Sequence, residues 1–181
     1  MRTNQLAVTV VLVAGLMGAG RAAGAEERAP ATDRSRVRSN NTAIVALIAQ
    51  AEQQSPTFRA MVETIDASDG IVYIQAAPCR HGVQACLKNV TAVGAHRFLW
   101  VNVNVRKDDR DLMASIGHEL RHAIEVLNEP SVRNFTAMHM LYRRIGTYGD
   151  TTAFETSAAT KAGEAVRTEV GQFKRHVKSA R

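Results

Sequence analysis

The order of periodicities along this chain predicts an α+β domain, with a small, mainly antiparallel sheet packed against helices. Three observations carry that expectation. Apolar residues recur at helical spacing from Thr42 to about Ile65. Strict two-residue alternation follows between Arg97 and Val105. Helical spacing then returns after Lys107 and lasts almost to the C-terminus.

The elements follow in order. Ile44, Leu47, Ile48 and Ala51 share one face of a first helix. Ser55-Pro56 is a start signal for a second, with Ser at the cap and Pro at the first helical position. Phe58, Met61, Val62 and Ile65 are its buried stripe, and Asp69-Gly70 ends it as a turn. Ile71 to Ile74 is a short β-branched strand that stops before Pro78. Cys86 to Val93 is a weaker strand, broken by Gly94. Arg97 to Val105 is the strongest, and Asn102 and Asn104 on one face suggest a half-exposed position at a sheet edge. Asp108, Asp109 and Asp111 favour the N-terminus of a helix that runs to about Leu127. A further helix is predicted from Val132 to Ile145, a loop over 146–150, and a last helix from about Thr152 to Val177.

Composition bounds the rest. The chain has 181 residues, 45% of them hydrophobic and 22% charged, which suits one globular domain and argues against wholesale disorder. Residues 1–25 have the layout of a signal peptide: Arg2, an uncharged stretch from Leu6 to Gly20, then Ala23-Gly24-Ala25. Cleavage is expected after Ala25, with export to a periplasm or the exterior and no membrane span left behind. Losing Arg2 and Arg21 lowers the formal charge from +6 to +4, too mild to call for nucleic acid. Residues 26–40 hold four arginines and one large aliphatic residue, so a disordered basic leader is expected before a single domain over 41–181. Outside the cytosol, Cys79 and Cys86 are expected to form a disulfide across a turn-prone loop; a thiol metal site with His81 is the alternative.

The chemistry concentrates in His118-Glu119-Leu120-Arg121-His122, an H-E-x-x-H pattern on a helix. Residues four apart lie about 40° apart around the axis, so both imidazoles can reach one ion. Glu119 is turned aside by about 100° and can hold a water instead of filling the ion's open position. The apolar face of this helix carries Leu112, Met113, Ile116, Leu120, Ala123, Ile124 and Leu127, and the histidines lie opposite, beside Asp111, Ser115 and Glu125. A solvated polar stripe is the bland alternative.

Catalytic zinc takes three protein ligands, so a third must come from elsewhere. Glu125 is better placed to orient His122 than to ligate, and Asp150 is a further option in the loop. Glu155 is the strongest, because helical-wheel arithmetic puts it on the apolar stripe of the last helix with Ala159, Ala162, Val166, Val170, Phe173 and Val177. A carboxylate on a buried face needs a cation, either a metal or an arginine such as Arg143 or Arg144. Glu164 falls on the polar face.

On these residues the chain resembles the zincin metallopeptidases, and a Glu third ligand resembles the gluzincin branch in a minimal single-domain form. The thermolysin-like E-x-x-x-D pattern is incomplete, since Glu155 is followed four residues later by Ala159. Gly146-Thr147-Tyr148-Gly149-Asp150 has residues of the aspzincin loop in another order. The resemblance implies zinc on His118, His122 and Glu155, and Glu119 as the general base of peptide-bond hydrolysis. It also implies a substrate strand added beside Arg97 to Val105, and transition-state help from Tyr142, Tyr148 or His139. Two other readings stay open: an exported zinc-binding protein without peptidase activity, and a structural or interaction domain in which the motif is chance.

Overall fold

A computed structural model describes residues 35–79, 83–106, 108–148 and 154–179. The expected signal peptide, residues 26–34 of the leader, His81 and Asp150 lie outside the described residues.

Residues 35–40 do not fit the leader expectation. Val37 and Arg38 form β1 (Val37–Arg38), parallel to β2 (Gly70–Ala76). Arg36 N donates to Asp66 Oδ1 at 2.6 Å, and Ser39 Oγ donates to Ile74 O at 2.7 Å. The one aliphatic residue of the segment is the reason: Val37 is buried in the core, while Arg38 stays outside.

Each early helix starts where local chemistry says it should. Asn41 Oδ1 accepts from the backbone of Ala43 and Ile44 at the head of α1 (Thr42–Gln54). Ser55 Oγ accepts from Phe58 N ahead of Pro56 in α2 (Pro56–Asp66). Two longer-range bonds reinforce this second cap, because Thr57 N and Oγ1 both donate to Glu169.

β3 (Ala85–Val93) and β4 (His96–Val103) form an antiparallel hairpin, with Gly94 at φ 57 in its turn. The sheet order is β1-β2-β4-β3. β2 pairs with β4 in parallel, so the sheet is mixed and the mainly antiparallel expectation is corrected. The chain leaves β2, crosses to the far side, and only then returns as β4 between its neighbours. β4 is therefore an inner strand and not an edge. Its asparagines find partners without an edge: Asn102 Nδ2 donates to Pro78 O in the segment after β2, and Asn104 Oδ1 accepts from Arg106 N past the strand's end. The Cys79–Cys86 disulfide is formed, with Cα atoms 6.0 Å apart, and ties the segment after β2 to β3.

One row of side chains crosses all four strands: Val37, Val72, Leu99 and Val90, each buried. With Ile74, Val101 and Val103 it forms a core shared with Ile44, Leu47 and Ile48 of α1 and Phe58, Met61, Val62 and Ile65 of α2. Each fully buried aliphatic or aromatic side chain here is worth about 1.5–3 kcal/mol. The other sheet face carries the rings of Tyr73, Phe98 and Trp100.

α3 (Asp109–Leu127) sits at the centre and is buried almost all round. Its apolar face meets the core as expected. Its opposite, polar face is not the solvated stripe of the bland alternative but is covered by α5 (Ser157–Ser179), through Val166 and Val170. Two glycines allow that approach. A Cβ at Gly117 would lie 2.8 Å from Val166 Cγ2, and one at Gly163 would lie 3.2 Å from both Ala114 O and His118 Cβ. α4 (Phe135–Ile145) starts later than expected, because Asn134 caps it and Val132 turns back to Glu129 O.

Glu155 is not on the last helix. It belongs to β6 (Phe154–Glu155), paired antiparallel with β5 (Thr147–Tyr148) in the register Thr147 to Glu155. Among the described residues no helix is long and apolar enough to cross a membrane.

Candidate metal centre

His118 and His122 are one turn apart on α3, with ring centroids 4.8 Å apart at 77°. The β6–α5 junction brings Glu155 over them. Its Oε1 lies 3.2 Å from His118 Nε2 and 3.8 Å from His122 Nε2. One ligand atom from each of the three residues falls within 4.8 Å of the others. The expected trio is thus brought together, although Glu155 arrives from a strand end.

This donor set suits zinc. Tetrahedral zinc with bonds of about 2.0–2.1 Å spaces its ligands about 3.3 Å apart, close to the shorter separations seen. The tautomer of His122 also suits it. Its Nδ1 lies 2.9 Å from Glu125 Oε2, and an ionised carboxylate can only accept, so Nδ1 carries the hydrogen. That leaves the Nε2 lone pair facing Glu155.

Glu125, expected to orient His122, does contact it. Its other oxygen accepts from Thr156 Oγ1 at 2.7 Å. Glu155 is further held by Thr156 N at 3.0 Å and Thr160 Oγ1 at 3.4 Å. Of the two arginines offered as alternative partners, Arg144 pairs with Glu129 instead.

Glu119 is 5% exposed. Its Oε2 accepts from Leu87 N at 2.6 Å, where a bulge between Leu87 and Asn89 breaks the β3–β4 register and turns that N–H toward α3. One carboxylate oxygen is thereby fixed and the other left for a proton. Burial pushes the carboxyl up to about 7, with Glu155 adding repulsion and His122 and Leu87 opposing. Burial, then the charge of His122, holds His118 below its ordinary value. Burial also presses on His122, but the Glu125 hydrogen bond and the charges of Glu119, Glu125 and Glu155 raise it. Burial likewise works against Glu125, whose hydrogen bonds from His122 and Thr156 nevertheless keep it low.

Tyr142 is buried, its ring edge-on to His122 at 5.1 Å and its hydroxyl donating to His122 O at 2.8 Å. That hydrogen bond secures the α3 backbone, so the hydroxyl does not face an open site. Burial raises its pKa far beyond neutrality. His139 contacts Phe135, at 6.4 Å between centroids, and the side chain of Tyr148 lies outside what is described.

Sequence reasoning passed over Thr156 and Leu87. A threonine directly before a Ser-Ala-Ala helix start is an N-cap signal and could have flagged Thr156. The Leu87 contribution is a backbone N–H placed by a bulge, for which no side-chain pattern exists.

Fold and site together define a small α+β protein carrying a His-His-Glu cluster at metal-binding distances. Comparison of the chain with protein-family models, with curated proteins and with solved structures returned no match.

Proposed function

We propose that this chain is an exported zinc metallopeptidase, with zinc on His118, His122 and Glu155 and Glu119 as general base. The observation that carries the proposal is convergence: both Nε2 atoms aim at one Glu155 oxygen, and a buried carboxyl with a near-neutral pKa lies beside them. Zinc bound there supplies a Lewis acid that acidifies water and polarises a carbonyl. Glu119 takes the proton of the attacking water and passes it to the leaving amine nitrogen. A pKa near 7 suits a group that must accept and then release a proton at neutral pH. Leu87 N–H keeps Glu119 from swinging into the ligand set. The disulfide fits an oxidising compartment, in line with export.

β4 is paired on both sides and leaves no edge for a substrate backbone. β3 is the edge strand nearest α3, and an extended peptide would add there. Leu87 N and Ala92 N are already engaged by Glu119 and by Arg133 O, which breaks the edge at those two positions.

Zinc binding without turnover is the competing reading, and the burial of Glu119 and His122 favours it. Metal analysis of the mature chain should give one zinc, lost in His118→Ala. Glu119→Gln should keep the zinc and lower peptide hydrolysis about a hundredfold to ten-thousandfold. A zinc-loaded parent that cleaves nothing in a diverse peptide library would leave the binding protein as the function.

A further inference from the structure

Thr156 is 5% exposed, and its N–H and hydroxyl make three hydrogen bonds at the junction of β6 and α5. Its N–H donates to Glu155 Oε1 at 3.0 Å. Its hydroxyl donates to Glu125 Oε1 at 2.7 Å, a direction set by the carboxylate, which has no hydrogen to give. The same hydroxyl oxygen accepts from Ala159 N at 3.1 Å, as an N-cap does for α5. Glu125 then holds His122 Nδ1 through its other oxygen.

Three hydrogen bonds run from Glu155 through Thr156 N and Oγ1 to Glu125 and on to His122 Nδ1. The gap that would close them into a ring, 3.8 Å from His122 Nε2 to Glu155 Oε1, is the one a shared metal ion would bridge. One residue therefore touches the carboxylate of the cluster on one side and the carboxylate behind its buried histidine on the other. Arg121 cannot take over the second role, because its Nε lies 3.8 Å from Glu125 Oε1, beyond hydrogen-bond range.

We infer that Thr156 is a positioning residue of the metal centre, whose hydroxyl fixes Glu125 so that Glu125 fixes the ring of His122. Resting on the metal-site reading above, this adds a device that ties the two metal-bearing segments at a position 31 residues from Glu125 in the chain. Partners of this kind typically alter metal affinity ten- to a hundredfold. The hydroxyl acts through Glu125, so its effect exists only while Glu125 is present.

The test is zinc affinity of the mature chain, by competition with a chromophoric chelator, with the visible spectrum of the cobalt(II) form as a reporter of geometry. Thr156→Ser keeps donor and cap and should match the parent. Thr156→Gly removes the hydroxyl without adding charge, at a position where glycine is tolerated. It should weaken zinc about ten- to a hundredfold and alter the cobalt spectrum, while the metal-free protein keeps its helical content. Glu125→Ala should lose a similar factor, and Thr156→Gly added to it should lose nothing more. Parent-like affinity in Thr156→Gly, or losses that multiply in the double variant, would overturn the inference and leave the zinc site standing. A parent that takes up no zinc overturns the metal reading itself.

Discussion

α3 carries a buried ionic network at its C-terminal end and another at its middle, and the two are built differently. At the end stands Arg97, 3% exposed. Its Nε and one Nη donate to the two oxygens of Asp69, at 2.8 and 2.7 Å. The remaining hydrogens reach the carbonyls of Val126, Leu127, Glu129 and Val132 at the end of α3 and in the turn after it; Val126 O and Glu129 O also accept from the backbone N–H of Glu129 and Val132. Every charge there has its partner within the chain. At the middle, three carboxylates, Glu119, Glu125 and Glu155, surround two imidazoles. The nearby Arg121 has a buried Nε without a hydrogen-bond partner. Arg121, 3.8 Å from Glu125, offsets one of these carboxylates, and Glu155 faces the two imidazoles where ligand atoms converge. The first network is closed by partners within the chain; the second brings three possible ligand atoms within 4.8 Å of one another.

The first way to break this comparison is at Arg97. Arg97→Met takes the guanidinium away from Asp69 and from the carbonyls of Leu127 and Val132, and should destabilise by about 3–5 kcal/mol in urea unfolding. It should leave zinc stoichiometry unchanged in the folded protein. A loss under 1 kcal/mol would mean water replaces the guanidinium.

The opposite result is expected at the cluster. Zinc at about a hundred times its dissociation constant should stabilise the parent by about 2.7 kcal/mol, and His118→Ala by far less. Equal stabilisation of both would place the metal elsewhere.

The disulfide should behave like Arg97 and unlike the cluster. Replacing Cys79 and Cys86 together by Ser should remove about 2.5 kcal/mol, from the entropy of closing a short loop. Zinc affinity should stay within a few-fold, since neither sulfur belongs to the ligand set. A large affinity loss would show that the start of β3, and with it Leu87, depends on the bridge.

Acid should separate the two networks by pH, with the smallest effect on stability at the second step. Ligand imidazoles must be neutral, so zinc should leave as His118 and His122 protonate. The Arg97 hydrogen bond holds the Asp69 carboxyl below its ordinary 3.8, against burial, which raises it. Its contribution is therefore complete above 3.8 and is lost as pH falls through the lower folded value. Zinc release followed by circular dichroism should come first, and the second step should be missing in Asp69→Asn. A single step for both events would mean the networks are coupled.

Much of this fold is written locally. Asn41, Ser55 and Asp108 stand immediately before their helices, and a cap bonds only two or three residues onward. The spacing of His118 and His122 is a property of any helix, so their common direction needed no tertiary information. Arg97 could also have been read, because two-residue alternation puts it on the inward face with Leu99 and Val101.

Other features depend on partners far away in the chain. Whether β4 is an edge is decided by what pairs with it, and β2 and β3 come from two separate segments. Parallel pairing of β1, β2 and β4 leaves no mark in the alternation, which reports faces and not neighbours. Helical periodicity ran the last helix through Glu155, yet pairing with Thr147 held that residue in a strand and Thr156 started the helix after it. The sequence by itself determined the elements, their buried faces and the pair of imidazoles, because each follows from contacts a few residues apart. Only the tertiary structure decided that α5 would cover the polar side of α3, close enough at Gly117 and Gly163 to bring Glu155, Thr156 and Glu125 into one network. That decision lies in the packing of two helices, where a methyl group at Gly163 would press on Ala114 O and on His118 Cβ.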